Sequence, residues 1–122
     1  LADRDCKVVV SELERAFSES LQTLKLLNVR NTLYVDSELS TLSGKNAAAI
    51  LDFYEEVIEA DLENLTSVQI SLANINGLRL SLNVCCEADL SIFLNKGNVI
   101  YEMDDDAGYQ HLVFIIEGGA AV

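Results

Sequence analysis

The feature that most constrains the fold is an amphipathic helical pattern with an acidic outer face over residues 47–65. Apolar residues recur at the i, i+3, i+4, i+7 spacing of a helix buried along one side: Ala47, Ile50, Leu51, Tyr54, Val57, Ile58, Leu62 and Leu65. The opposite face carries five acids: Asp52, Glu55, Glu56, Glu59 and Glu63. We therefore expect one long helix that packs on a core and presents carboxylates to solvent. Such a face would attract cations or a basic protein surface and would repel phosphates.

The acidic helix belongs to an acidic chain. The 122 residues include 20 acidic and 8 Lys or Arg side chains, for a formal net charge of −12. This charge argues against nucleic-acid binding, which needs a basic patch, and against direct contact with an anionic membrane. No apolar run approaches the roughly 20 residues that span a bilayer, and no signal peptide opens the sequence.

The three cysteines indicate the cellular compartment. Cys85 and Cys86 are adjacent and Cys6 is distant, so no metal or redox spacing is present. Free cysteines of this kind are typical of a reducing cytosol, and we expect a cytoplasmic location. At 122 residues the length predicts a single domain, residues 1–122. The sequence starts without an initiator Met, so we expect this domain to be the excised C-terminal fragment of a larger signalling protein. The remainder of that parent could include a membrane anchor.

The patterns on either side of the acidic helix predict further elements. Residues 11–14, Ser-Glu-Leu-Glu, have the form of a capping box. The helix that follows should end near Asn28. Residues 29–35 then form a strand, and residues 36–44 form a polar loop.

The second half of the chain is predicted to be mainly strand. Residues 98–103 and 109–116 form a hairpin across an acidic turn. Residues 87–94 form a short helix or a turn, and we expect the tail at 118–122 to be frayed. The order is therefore helix, strand, helix and four strands.

Another hairpin, over residues 68–85, allows its register to be predicted. A two-residue turn at Asn76 and Gly77 would put the apolar sets of the two strands on opposite faces. A three-residue loop instead pairs Leu72 with Leu80, puts both sets on one face and gives Gly77 the left-handed position. We favour the second register because a slip of one residue would expose a whole apolar set.

These elements predict an α/β (α+β) fold. Polar residues alternate with apolar ones in the hairpin over residues 68–85, the first along the chain. This alternation indicates a sheet with one buried face and one solvent-exposed face. We expect a two-layer sandwich, with a mixed, mostly antiparallel sheet and the helices on one face.

The order also resembles the ATP-binding domain of sensor histidine kinases, in the GHKL superfamily. Residues 13–29, LERAFSESLQTLKLLNV, are similar to the helix and strand that open that domain, and residues 50–65, ILDFYEEVIEADLENL, lie where the family has its N-box helix. Residues 78–84, LRLSLNV, resemble the strand that leads into an Asp-x-Gly-x-Gly nucleotide box. Residues 104–119 resemble the last hairpin strand with its Gly-rich end. The resemblance implies a Bergerat-like fold and a role in two-component signal transduction.

The binding motifs of that family are altered in this chain. Glu55 matches the N-box Glu, but the position of the magnesium-binding Asn, four residues later, holds Glu59. Residues 85–89, Cys-Cys-Glu-Ala-Asp, contain no glycine where the family has its nucleotide box. Only residues 90–97 separate that region from the last hairpin, so the lid and the second glycine box are missing. A triphosphate needs amide donors, a cation or Lys and Arg, and no Gly-rich loop supplies them.

Three hypotheses about function follow. The first is a degenerate histidine-kinase-like ATPase domain that has a binding or regulatory role, no catalysis of its own and no cofactor. The second is a divergent but functional ATP-binding kinase domain in which Glu55 and Glu59 hold the magnesium of Mg-ATP. The third is an unrelated α/β protein-interaction module.

Under the first hypothesis the partner is a protein. We expect another kinase domain or a response regulator to dock on the acidic face through Asp52, Glu56 and Glu63. The parent protein could in addition form a homodimer. The alternative for this face is a solvated surface that maintains solubility. We predict no catalytic or metal-ligating residues, because the single histidine, His111, has no second His or paired Cys in a ligand pattern.

Overall fold

The computed structural model describes residues 6–116 and the backbone of residues 120 and 121. Its helices and strands are β1 Lys7–Val9, α1 Val10–Leu26, β2 Arg30–Val35, β3 Thr41–Ser43, α2 Gly44–Ala60, β4 Ser67–Asn74, β5 Leu78–Cys85, β6 Val99–Asp104, β7 Tyr109–Ile116 and β8 Ala120–Ala121. Two 3₁₀ helices complete the order, at Leu62–Asn64 and Leu90–Lys96.

The main sheet confirms the predicted fold class. Its strand order is β2-β4-β5-β7-β6, in which β2 runs parallel to β4 and every other neighbouring pair is antiparallel. One face of this sheet and the apolar stripes of α1 and α2 share a single core. The other face carries the alternate residues of β5, which are only partly buried. The result is the expected two-layer α+β sandwich, with a mixed, mostly antiparallel sheet.

The register predicted for the first hairpin is confirmed. Leu72 pairs with Leu80, and the ladder closes at Asn74 opposite Leu78, which leaves a three-residue loop. Gly77 has a φ of 110°, a conformation that favours glycine. The second hairpin, β6 with β7, also lies where the sequence predicted it.

The acidic helix is shorter than predicted. It was expected to run to Leu65, but α2 ends at Ala60, and Asp61 has a non-helical φ of −153° before the 3₁₀ helix Leu62–Asn64. The last turn of α2 contains no basic side chain to complement the negative end of the helix dipole. Asp61 leaves the helix and makes contacts elsewhere, as described below.

The structure contains three short strands that the sequence did not predict, β1, β3 and β8. Because β1 leads directly into α1 at Val10, the predicted capping box is wrong, and the N-cap residue Val9 makes no side-chain hydrogen bond. The loop predicted at 36–44 contains β3, which pairs with β1. Ala120 and Ala121 pair with β3, so the prediction of a frayed tail is wrong there, whereas residues 118, 119 and 122 lie outside the described residues.

Candidate functional site

The two helices lie side by side and meet along an aromatic and hydroxyl contact. The rings of Phe17 in α1 and Tyr54 in α2 make an edge-on contact, with centroids 5.0 Å apart. The hydroxyls of Ser20 and Tyr54 share a hydrogen bond of 2.8 Å. Burial raises the pKa of the Tyr54 phenol, the bond to Ser20 opposes that rise, and the nearby Glu55 carboxylate adds to it. Tyr54 therefore joins the helices as a neutral hydrogen-bonding group.

A groove between α1 and α2 continues from this contact towards their C-terminal ends. We call it the α1–α2 groove; it has a volume of about 380 Å³ and is lined by Ser20, Thr23, Leu24, Leu27, Tyr54, Glu55, Ile58, Glu59 and Leu62. Glu55 and Glu59, the predicted magnesium-binding pair, are both exposed at this groove. The structure therefore places both carboxylates on the flank of α2 that faces α1.

The three residues predicted as a docking face, Asp52, Glu56 and Glu63, do not line the groove. Glu56 forms an ion pair of 2.7 Å with Lys96, in the 3₁₀ helix that follows β5. Asp52 is exposed one turn before Glu56 in α2. Glu63 is exposed within the 3₁₀ helix Leu62–Asn64, beyond the end of α2. By helical geometry, Asp52, Glu55, Glu56 and Glu59 lie within about 100° of arc on one side of α2. Glu55 and Glu59 line the groove and Glu56 pairs with Lys96, whereas Glu63 lies beyond the end of the helix.

Residues 86–97, which we call the closing segment, connect β5 to β6 and pack against α2. Leu90 is fully buried, and Phe93 is 8% exposed. The ring of Phe93 makes an edge-on contact with Phe53 of α2, with centroids 5.8 Å apart. Phe53 also stacks on Phe114 of β7, with centroids 4.6 Å apart. Aromatic packing therefore fills the space between α2, the closing segment and the sheet.

Asp61 fixes the start of the closing segment. Its Oδ2 accepts hydrogen bonds from the backbone amides of Glu87, at 2.9 Å, and Ala88, at 2.8 Å. Its Oδ1 accepts from the Asn64 side chain at 2.8 Å. The bond from Ala88, followed by the bonds from Asn64 and Glu87, lowers the pKa of the Asp61 carboxyl. Two successive amides that converge on one point suit an anion, and here the anion is a carboxylate of the same chain.

Gln110, in β7, is hydrogen-bonded to the middle of the closing segment. Its side chain is 4% exposed. Nε2 donates to the carbonyl of Ala88 at 2.7 Å, while Oε1 accepts from the amide of Leu90 at 2.7 Å and from the hydroxyl of Tyr101 at 2.9 Å. Sequence reasoning missed Gln110, although its period-two spacing with Leu112 and Phe114 indicates an inward-facing polar residue.

Three further ionisable side chains, those of Cys86, His111 and Asp104, have environments that indicate structural roles. Burial, followed by the charge of Asp61, raises the pKa of the Cys86 thiol, so it stays protonated near neutral pH. Nδ1 of His111 is hydrogen-bonded to the side-chain oxygen of Asn83 on the open face of the sheet. Asp104 caps its hairpin turn by accepting from the amide of Ala107 at 3.1 Å. Within residues 6–116, no group of three or more His, Cys, Asp and Glu side chains is arranged to hold a metal.

Comparison with known proteins adds a fold relationship. No protein-family model and no curated protein sequence matches this chain. Among solved structures, the fold is similar to that of the cytoplasmic segment of the histidine kinase QseC, with a TM-score of 0.58 and 12% sequence identity over 96% of this chain and 76% of that chain. At this identity the likeness concerns the fold. Among the residues that the structure describes, no helix is both long enough and apolar enough to span a membrane.

Proposed function

We propose that this chain is a degenerate histidine-kinase-like ATPase domain that acts in two-component signalling by binding a protein, without catalysis of its own. The observation that carries the proposal is the closing segment. By the sequence resemblance, this segment stands where kinases of the family have their nucleotide box and lid. Here it is short, without glycine before Gly97, and packed with Leu90 and Phe93 against the core.

Hydrogen bonding supports the same proposal. A bound polyphosphate needs backbone amides or cationic side chains. The amides of Glu87 and Ala88 already bond to Asp61, and the amide of Leu90 bonds to Gln110. Lys96 is paired with Glu56. A phosphate at this position would have to displace a carboxylate that has the same sign of charge.

The hypothesis of a functional ATP-binding domain receives less support from the geometry. It requires Glu55 and Glu59 to hold magnesium beside a nucleotide. Both carboxylates line the α1–α2 groove, whereas the closing segment contacts α2 through Phe53 and Glu56. The fold relationship to a histidine kinase segment favours a kinase-derived domain over an unrelated α/β module. The proposed partner is therefore another kinase domain or a response regulator.

Calorimetric titration with Mg-ATP and with Mg-ADP tests the proposal. The native chain should give no saturable heat up to millimolar nucleotide. The same titration on Glu59→Asn, which restores the residue type of the family's magnesium ligand, should also give none. Glu63→Asn is the matched control, because it removes one carboxylate outside the groove.

The outcomes separate the hypotheses. Micromolar binding by the native chain would overturn the proposal and favour a working nucleotide domain. Binding gained by Glu59→Asn but not by Glu63→Asn would show that a nucleotide pocket is retained. That result would contradict the claim that the closing segment excludes nucleotide. No binding by any of the three proteins is the expected result.

A further inference from the structure

The α1–α2 groove exposes apolar surface that the fold does not cover. Leu27 is 56% exposed and Leu62 is 41% exposed at its C-terminal end, while Leu24 and Ile58 are buried beneath them. Tyr54 closes the other end of the groove by its bond to Ser20. A concave surface with an apolar floor and a polar rim is typical of a site that receives a partner side chain or helix.

Charge at the rim of the groove specifies the chemistry of the occupant. Glu55 and Glu59 lie one helical turn apart, so their charges repel each other. Among the residues that the structure describes, the one ion pair is that of Glu56 with Lys96, so neither groove carboxylate has a cationic partner within residues 6–116. A cation there would also face the negative, C-terminal half of α2. The groove therefore suits Lys or Arg side chains.

The dimensions of the groove favour a short helix. Along α1 the groove runs from Ser20 to the C-cap residue Leu27, seven positions or roughly 10 Å along a helix axis, which corresponds to about two turns of a docked helix. A helix that presents apolar residues at i, i+3 and i+4 can place them on the floor and direct flanking basic residues to the rim. A second copy of this chain is disfavoured as the occupant, because two molecules with a net charge of −12 repel each other.

We propose that the α1–α2 groove binds a basic amphipathic helix of a partner protein, with leucine-like anchors over Leu27 and Leu62 and Lys or Arg against Glu55 and Glu59. This inference rests on the protein-binding role proposed above and specifies its surface. It assigns Glu55 and Glu59 to recognition of a protein cation, and it relocates docking from the face of Asp52 and Glu56 to the groove.

The test uses a labelled peptide of Leu and Lys whose leucines follow helical spacing, and a scrambled peptide of the same composition. Binding to the full chain is measured by fluorescence anisotropy at low and at high salt. The patterned peptide should bind more tightly than the scrambled one, and added salt should weaken its binding. Equal binding of both peptides would overturn the proposal, because the groove would then not read an apolar pattern.

Paired variants locate the binding site. Glu55→Gln with Glu59→Gln should raise the dissociation constant about fivefold or more, since two charge contacts are lost. Asp105→Asn with Asp106→Asn, in the exposed turn between β6 and β7, makes the same change of net charge and should alter it less than about twofold. Equal weakening by the two pairs would contradict a local site. Leu62→Ala, at an exposed anchor position, should weaken binding at both salt concentrations.

The test is independent of the nucleotide titration. Absence of peptide binding by a chain that also binds no nucleotide overturns the groove assignment and leaves the degenerate domain standing. Displacement of the peptide by micromolar Mg-ATP would overturn both, because the groove would then be a nucleotide site.

Discussion

The variant Gln110→Leu removes the side chain that holds the closing segment while nearly preserving its volume. The change leaves the amide of the fully buried Leu90 without an acceptor. The half-buried carbonyl of Ala88 keeps only the weak thiol donor of Cys86, at 3.7 Å. An unsatisfied buried amide costs about 1–3 kcal/mol, and loss of a partly exposed bond costs about 0.5–1.5 kcal/mol. Together with the freed hydroxyl of Tyr101, which water can reach, we expect a loss of about 2–4 kcal/mol in the free energy of unfolding.

Urea unfolding, followed by far-ultraviolet circular dichroism, measures this loss. Gln69→Leu is the matched control, because Gln69 is exposed on the open face of the sheet, where it accepts a single bond from Asn83. That control should change stability by no more than about 0.5 kcal/mol. If Gln110→Leu were as stable as Gln69→Leu, the bonds to Leu90 and Ala88 would not hold the closing segment, and the reasoning would be refuted.

Three further predictions follow from the same structure. Phe93→Ala should cost about 3–5 kcal/mol in unfolding free energy, because it removes an aromatic ring from the packed cluster; a loss below 1 kcal/mol in chemical denaturation would contradict a packed segment. Asp61→Asn should lower the urea midpoint at pH 7, because the carboxylate that binds two backbone amides is lost. The pKa of Asp61 is lowered by folding, so its contribution is present above the unfolded value and disappears as the pH falls through the folded value. The gap between native and variant midpoints should therefore narrow below about pH 4, and a gap that is constant with pH would refute the role of the charge. Gly77→Ala should cost about 1 kcal/mol or more, because its φ of 110° strains any residue with a Cβ, and thermal unfolding unchanged from native would contradict the loop conformation.

The regular elements could be predicted from the sequence because their signals are local. Apolar alternation in β4 and β5, together with the position of Gly77, was enough to predict the hairpin register, since a slip would expose Leu72 and Leu80. The helical spacing from Ala47 onward likewise predicted the buried side of α2. Both patterns reflect which side chains are buried, so they can be recognised from the spacing of apolar residues alone.

The features that the sequence did not reveal depend on distant partners. The end of α2 at Ala60 follows from the bonds of Asp61 to Glu87 and Ala88, which lie 26 and 27 residues away. The strands β1 and β3 have only three residues each and were not recognised because their pairing is non-local. For the candidate site, the pattern predicted which carboxylates α2 exposes but not that Glu55 and Glu59 face α1 while Glu56 faces Lys96.

Amide hydrogen exchange in the closing segment tests most directly the claim that it is closed to nucleotide. The amide of Leu90 bonds to buried Gln110, whereas the amide of Asp105 lies in an exposed turn. The account predicts that Leu90 exchanges on the order of a thousandfold more slowly than Asp105, and that millimolar Mg-ATP changes neither rate. Rapid exchange at Leu90, or protection at Glu87 to Leu90 that increases with Mg-ATP, would contradict the account.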